Sequence, residues 1–342
     1  MIEPRFVNRV EEIRALEELG RRGSPGVMYI YGPEGCGKTR LLREFIKIFN
    51  GVGIYIDALE QESLEKALIF TQKLSEMKDL FTELAGQVTG PIGRWLTSRI
   101  LTILENVVAR IRIKDENLVI AIDDVTRARG LDDLERYIKW LYELQWKVYE
   151  DYEPKTILII ATTSEGYSLK RIVRHTYNIP SLIWNLGKEA CEELIQQLNP
   201  VNEETIEETW KLTGGNPRSI IEIATIHRWN PREWLTKIED RLGDVANILK
   251  AKGLIEETYK LIENPDVLRE RPYVELREAY EILLEHNLMM YVGISLLSSW
   301  IHRDQSRWAI KPSRELGIGR HYAWQIPAYR KALERLLRDE SD

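Results

Sequence analysis

A chain of 342 residues is too long for one core of ordinary size, so two or three domains of roughly 100 to 200 residues are expected. Its 44% hydrophobic and 30% charged residues exclude a disordered chain, and its net charge of −6 excludes coating of nucleic acid by bulk charge, though a local basic face is left open. The sequence opens with Glu3 and Arg5, lacks an apolar leader, and nowhere approaches the ~18 apolar residues of a membrane span, so no span and a cytoplasmic location are expected.

In chain order, the apolar run 27–31 reads as a strand that leads straight into a glycine loop, and residues 40–49 follow with Leu41, Leu42, Phe45, Ile46 and Phe49 at helical spacing. Residues 52–56 read as a second strand. The long connection 62–116 is mostly helical by pattern, broken by Gly and Pro at 86–93, and carries an apolar stripe from Trp95 to Ile111 that suits packing on a sheet or a partner surface. Runs 118–122, 156–161 and 182–186 complete a set of β-rich segments separated by helices, the pattern of a parallel sheet covered on both faces. Residues 187–262 read as helices interrupted at Thr213-Gly214-Gly215-Asn216-Pro217; after Asn264-Pro265 come further helices and a β-like stretch at 321–326. The expected units are therefore an α/β domain over 1–186, a helical unit over 187–263 and a C-terminal unit over 264–342.

The chemistry begins at Gly32-Pro33-Glu34-Gly35-Cys36-Gly37-Lys38-Thr39, which matches G-x-x-x-x-G-K-[ST] between a predicted strand and a predicted helix. Glycines let main-chain amides converge on phosphate oxygens, the helix N-terminus adds a favourable dipole, and Lys38 brings a cation to the β and γ phosphates. Thr39 is placed to ligate magnesium, and Arg40 joins Pro33 to Thr39 among the nucleotide-contacting residues. Cys36 lies inside the loop, where a disulfide would distort the backbone; with Cys191 the only other cysteine, a reducing compartment is expected and no metal cluster can be built from them.

Run 118–122 ends in Asp123-Asp124, the Walker B pattern: Asp123 to hold magnesium through water, Asp124 to orient or polarise the attacking water. Run 156–161 leads into Thr162 and Thr163, either of which suits a hydrogen bond to that water or to the γ-phosphate, although strands also end in hydroxyl residues for turn reasons alone. Arg171 and Arg174 on the next predicted helix suit either a charge offered to a γ-phosphate or a solvated helix face.

Together these residues resemble the archaeal ATPase family of P-loop proteins, akin to AAA+ and STAND ATPases. The resemblance rests on the loop, on Asp123-Asp124, on Phe6-Val7-Asn8-Arg9 with Glu12, which looks like the N-terminal adenine box with Asn8 in place of its usual Gly, and on Gly215-Asn216-Pro217-Arg218, which looks like the Gly-x-Pro element of the helical lid. It implies an ASCE-type three-layer α/β domain, a helical lid and a winged-helix-like C-terminal domain, with ATP or ADP and Mg2+ as ligands. It also implies adenine beside Val7, Asn8, Arg9 and Pro217, and Arg218 as a reporter of the phosphate state.

The implied activity is Mg-dependent ATP hydrolysis that drives a conformational switch with a protein partner. The alternative is a DNA-associated ATPase of initiator or recombination type. Residues 273–287, the best candidate for a DNA-reading helix, hold one Arg and four Glu, a poor match to phosphates, so this helix is expected to pack or to bind protein. By contrast 301–338 holds nine Lys or Arg against three acidic residues, with Trp308, Tyr322 and Trp324 interleaved, which suits either nucleic acid or a solvated surface over core aromatics.

Overall fold

The computed structural model describes residues 4–71, 92, 103, 105–106, 113–124, 131–163, 166–295 and 310–338. The α/β part runs α1 (Val10–Arg22), β1 (Val27–Tyr31), α2 (Lys38–Ile48), β2 (Val52–Asp57), α3 (Leu64–Ala67), β3 (Leu68–Phe70), β4 (Asn117–Asp123), α4 (Leu131–Tyr152), β5 (Thr156–Thr163), α5 (Gly166–Ile172) and β6 (Asn178–Leu182). One sheet has the order β3-β2-β4-β5-β1-β6, parallel throughout except for antiparallel β3. The order is decisive for the site, because β5 stands between the strand that ends in the glycine loop and the strand that ends in the two aspartates.

Every residue of β1 is buried, as a strand covered on both faces requires. Side-chain alternation splits the strand: Met28 and Ile30 pack with Leu16 and Leu19 of α1 and Leu41, Leu42 and Phe45 of α2, whereas Val27 and Tyr29 face Tyr137, Ile138 and Leu141 of α4. The result is three layers, as the patterning predicts. Of the apolar stripe Trp95–Ile111, only Ile103 falls among the residues whose burial is described, and it is fully buried against the α4 face of the sheet.

Two strand expectations are corrected. The last strand is Asn178–Leu182 rather than 182–186. Pro180 is tolerated because β6 is an edge strand, with no further strand on its far side among the described residues. Run 182–186 is apolar for other reasons: Ile183 donates its last sheet bond to Tyr31 O at 2.9 Å, and Leu186 already bonds Gly215 O at 3.0 Å in the helical part. Its residues are buried in three different clusters, which mimics a strand pattern. The second correction is β3, a short strand inside a connection expected to be helical, whose Leu68, Ile69 and Phe70 pair with β2.

Beyond the sheet come α6 (Lys188–Gln197), α7 (Glu203–Thr213), α8 (Pro217–Thr225), α9 (Pro231–Ala251), α10 (Ile255–Glu263), α11 (Val267–Glu270), α12 (Val274–Glu285), β7 (Met289–Tyr291), β8 (Tyr322–Trp324) and α13 (Pro327–Arg338). Asparagine caps start three of the helices: Asn202, Asn216 and Asn230 each accept an amide from three residues on, and Pro217 and Pro231 sit at the first helical position. β7 and β8 pair antiparallel. One apolar core joins Leu212, Ile223 and Trp234 to Leu276, Leu283, Trp324 and Leu333, so the helices on both sides of residue 264 share their interior. α12 packs against α5, α9 and α10, in keeping with a packing helix. Trp324 is fully buried with its Nε1 donating to Leu261 O at 3.1 Å and belongs to the interior, whereas Tyr322, edge-on to Tyr280 and Tyr291, is half-buried. Trp308 lies outside the described residues. Among the described residues no helix is long and apolar enough to cross a membrane.

Candidate functional site

The glycine loop leaves the end of β1 and turns into α2 at Gly37, whose φ of 101° caps the helix. Two other glycines are needed because backbone passes close by: a Cβ at Gly32 would sit 1.8 Å from Ile183 O, and one at Gly35, with φ of 78°, would sit 2.5 Å from the Cβ of Arg218. Lys38 is buried, and its Nζ donates to Gly32 O and Pro33 O, both at 3.0 Å, which holds the cation over the loop. Cys36 and Cys191 are both buried free thiols, and Cys36 Sγ donates to Ile183 O at 3.4 Å.

A cleft of about 500 Å³ opens beside the loop, lined among others by Lys38, Thr39, Arg40, Asp124, Pro217 and Arg218. Residues drawn from the loop, the β4 end and the start of α8 therefore meet at one cavity, within the usual size range of a small-molecule site. Asp124, at φ 52°, takes the left-handed backbone that aspartate tolerates better than most residues, and it stands on the cleft wall. Asp123 lies behind it, 2% exposed.

Thr162 ties the two aspartates together. Its Oγ1 accepts the amide of Asp124 at 2.8 Å and donates to Asp123 Oδ1. Thr163 is fully buried beside Tyr31 in the sheet register. The other Asp123 oxygen, Oδ2, accepts from Tyr55 Oη at 2.9 Å. Tyr55 accepts Arg43 Nε at 3.2 Å, and Arg43 reaches Asp57 Oδ2 at 2.9 Å. Burial, then the charge of Asp123, raises the Tyr55 phenol well above its ordinary range, so it remains a neutral donor. Burial, then Asp123, also raises the Asp57 carboxyl, against the pull of the Leu59 amide and Arg43. Sequence reading missed Tyr55, Arg43 and Asp57; the available signal was a carboxylate closing an apolar strand at Asp57, which lies in register with Asp123 on the neighbouring strand.

The N-terminal residues pin the loop from below. Arg9, only 6% exposed, donates to Cys36 O at 2.9 Å and Trp184 O at 2.5 Å and pairs with Glu12 at 2.7 Å. Val7 packs with Leu186, Ala190, Leu194 and Ile220, and Asn8, at φ 53°, is exposed. From above, Glu34 is held by three side chains from two segments. Its amide donates to Gln325 Oε1 at 3.0 Å, its carbonyl accepts Asn216 Nδ2 at 2.9 Å, and its carboxylate pairs with Arg218 at 2.7 Å. Asn185 braces this contact, donating to Gln325 O at 2.8 Å and accepting from Asn216 at 2.9 Å. Asn185 and Gln325 were also missed, since neither belongs to a local motif.

The donor set fits a nucleoside triphosphate with a hydrated divalent ion. A buried ammonium stands over a loop too tight for side chains, a threonine hydroxyl begins the helix, and the side-chain partners of the strand-end aspartate are hydroxyls rather than cations. A phosphate loop closing β1, an acidic pair closing β4 and a strand between them define a P-loop nucleotide-binding fold.

Residues 6–223 match the family described as an ATPase domain predominantly from Archaea; this is more than half of the chain, which therefore belongs to that family and is an ATPase. The chain is similar to the uncharacterized ATP-binding protein PH0541 of Pyrococcus horikoshii, at 27% identity over 257 residues, 67% of this chain and 77% of that one. Among solved structures, the AAA domain of FIGL-1 in complex with ADP is 16% identical over 66% of this chain and 73% of its own, with a TM-score of 0.37. A RuvB variant of Thermotoga maritima is 13% identical over 87% of this chain and 95% of its own, with a TM-score of 0.35.

Proposed function

We propose that this ATPase is a magnesium-dependent conformational switch, built as an α/β unit over 1–186, a helical lid over 187–263 and a winged-helix-like unit over 264–342. The observation that carries this reading is the grip on Glu34, a phosphate-loop residue whose amide, carbonyl and carboxylate are each held by a different group from the lid and C-terminal segments. A loop that shifts as phosphate binds or leaves must disturb Gln325 and Asn216, and the common core of those helices carries the movement as one body.

In this reading Lys38 and the loop amides bind the phosphates, Pro217 and the 7–9 segment flank the adenine, and Thr39 and Asp123 would hold magnesium, Asp123 through water. When bound, the ion would supply charge neutralisation at the phosphates. Asp124 orients the attacking water. Thr162 keeps Asp123 and Asp124 in register through its two hydrogen bonds. The Arg218–Glu34 pair has an arginine side chain 62% exposed, and such pairs contribute at most about 1 kcal/mol, so a phosphate can exchange for the carboxylate and draw Arg218 into the cleft.

The test is hydrogen exchange with ATP against ADP. Residues 322–338 should differ in protection in the wild type, and Gln325→Leu should keep ATP binding while losing that difference. Identical exchange with the two nucleotides in the wild type sinks the switch.

A second reading, a DNA-associated ATPase of initiator or recombination type, is favoured by a cleft of about 780 Å³ between α5 and the C-terminal helices, where Lys170, Arg174, Arg269 and Arg277 outnumber Glu281. It requires duplex binding that weakens steeply with salt in an anisotropy titration. A flat titration at low salt removes it.

A further inference from the structure

The carboxylate of Asp123 is gripped by two hydroxyl groups, and in each case the surroundings dictate where the single hydroxyl hydrogen goes. Thr162 Oγ1 is occupied as an acceptor by the Asp124 amide at 2.8 Å, which leaves its hydrogen for Asp123 Oδ1. Tyr55 Oη is occupied as an acceptor by Arg43 Nε at 3.2 Å, which leaves its hydrogen for Asp123 Oδ2 at 2.9 Å. Arg43 cannot swing away freely. Its guanidinium also bonds Asp57 Oδ2 at 2.9 Å and Lys66 O at 3.2 Å and lies 5.2 Å from the centre of the Tyr55 ring, while Asp57 is itself anchored by the Leu59 amide at 3.0 Å.

This arrangement keeps the cation of Arg43 one residue away from Asp123. An arginine bonded directly to Asp123 would offset the negative charge that a metal ion needs. A neutral phenol passes on the orientation and leaves the charge in place. Two donors on opposite oxygens also fix the plane of the carboxylate, because rotation about its last side-chain bond would break both bonds, and each oxygen retains a lone pair for a metal-bound water.

We propose that Tyr55, locked by Arg43 and Asp57, is a positioning residue for ATP hydrolysis, fixing Asp123 in the orientation that receives the hydrated magnesium ion. The inference rests on the reading of Asp123 as the magnesium-side carboxylate.

The experiment compares Tyr55→Phe, Arg43→Gln and Asp123→Asn with the wild type by Mn2+ binding, read by electron paramagnetic resonance in the presence of a non-hydrolysable ATP analogue. Metal-free nucleotide affinity and melting temperature are measured in parallel. Tyr55→Phe, which removes one oxygen and leaves the ring, should weaken Mn2+ binding about tenfold, the lower end of the effect of losing an outer-shell partner. Its metal-free nucleotide affinity and melting temperature should stay at wild-type values. Arg43→Gln should move metal binding in the same direction by less, and Asp123→Asn should abolish it. If Asp123→Asn loses Mn2+ while Tyr55→Phe binds it as the wild type does, the positioning role is overturned and the magnesium reading stands. If Asp123→Asn binds Mn2+ normally, that reading fails and the inference falls with it. A Tyr55→Phe protein that loses metal-free nucleotide affinity or melts far lower shows a structural role and overturns the proposal.

Discussion

Lys38→Ala should abolish measurable ATP binding in a calorimetric titration, weakening it at least about a hundredfold, or about 3 kcal/mol at roughly 1.4 kcal/mol per tenfold. The size follows from the position of the ammonium: it is buried, it bonds Gly32 O and Pro33 O at 3.0 Å, and it stands at the turn into α2, where a phosphate charge gathers. Alanine removes both the charge and the donor that draws two loop carbonyls together. The fold should survive, because the side chain belongs to none of the apolar clusters, and a far-ultraviolet spectrum with a melt would establish this. ATP binding within a few-fold of the wild type would show that the triphosphate lies elsewhere.

Asp124→Asn should leave ATP affinity nearly unchanged and lower steady-state phosphate release by about 10²- to 10⁴-fold, the usual effect of losing a group that handles the water proton. Asparagine accepts the left-handed backbone found at Asp124, and the bond to Thr162 Oγ1 uses only the main-chain amide of residue 124, so the local geometry should persist. The substitution thus separates binding from chemistry. Undiminished phosphate release in this variant would transfer the water-handling role to another residue.

The two variants also divide the site by how it is assembled. Lys38 belongs to a stretch whose geometry is almost entirely local, where glycines, a lysine and a helix start are set by consecutive residues, and of the loop residues predicted from spacing Gly35, Gly37, Lys38, Thr39 and Arg40 line the cleft while Pro33, Glu34 and Cys36 do not. Asp124 is local in its position at a strand end, but its setting comes from β5, 38 residues further on. The loop 213–218 was legible as a break between helices, and the family resemblance set Pro217 and Arg218 near the nucleotide; the bond from Asn216 to the Glu34 carbonyl was not legible.

The failures have physical causes as well. Run 182–186 imitates a strand because burial against helices and burial in a sheet demand the same residues, and only main-chain pairing tells them apart. Tyr55 reads as one more apolar strand residue, since nothing in its neighbours reveals an aspartate on the adjacent strand. Gln325 is 291 residues from the amide it holds, beyond any spacing rule.

What the amino-acid order determined by itself is the phosphate loop, the acidic pair and the alternation that yields a covered parallel sheet, because backbone sterics, helix-end dipoles and side-chain periodicity act over a few residues. Tertiary structure alone decided the strand order that sets β5 between loop and carboxylates, the phenol and threonine that fix Asp123, and the clasp of Gln325, Asn216 and Arg218 on Glu34. Those depend on polar groups distant in the chain finding one another inside the fold, where an unpaired donor or acceptor is costly and a completed pair is held in one geometry.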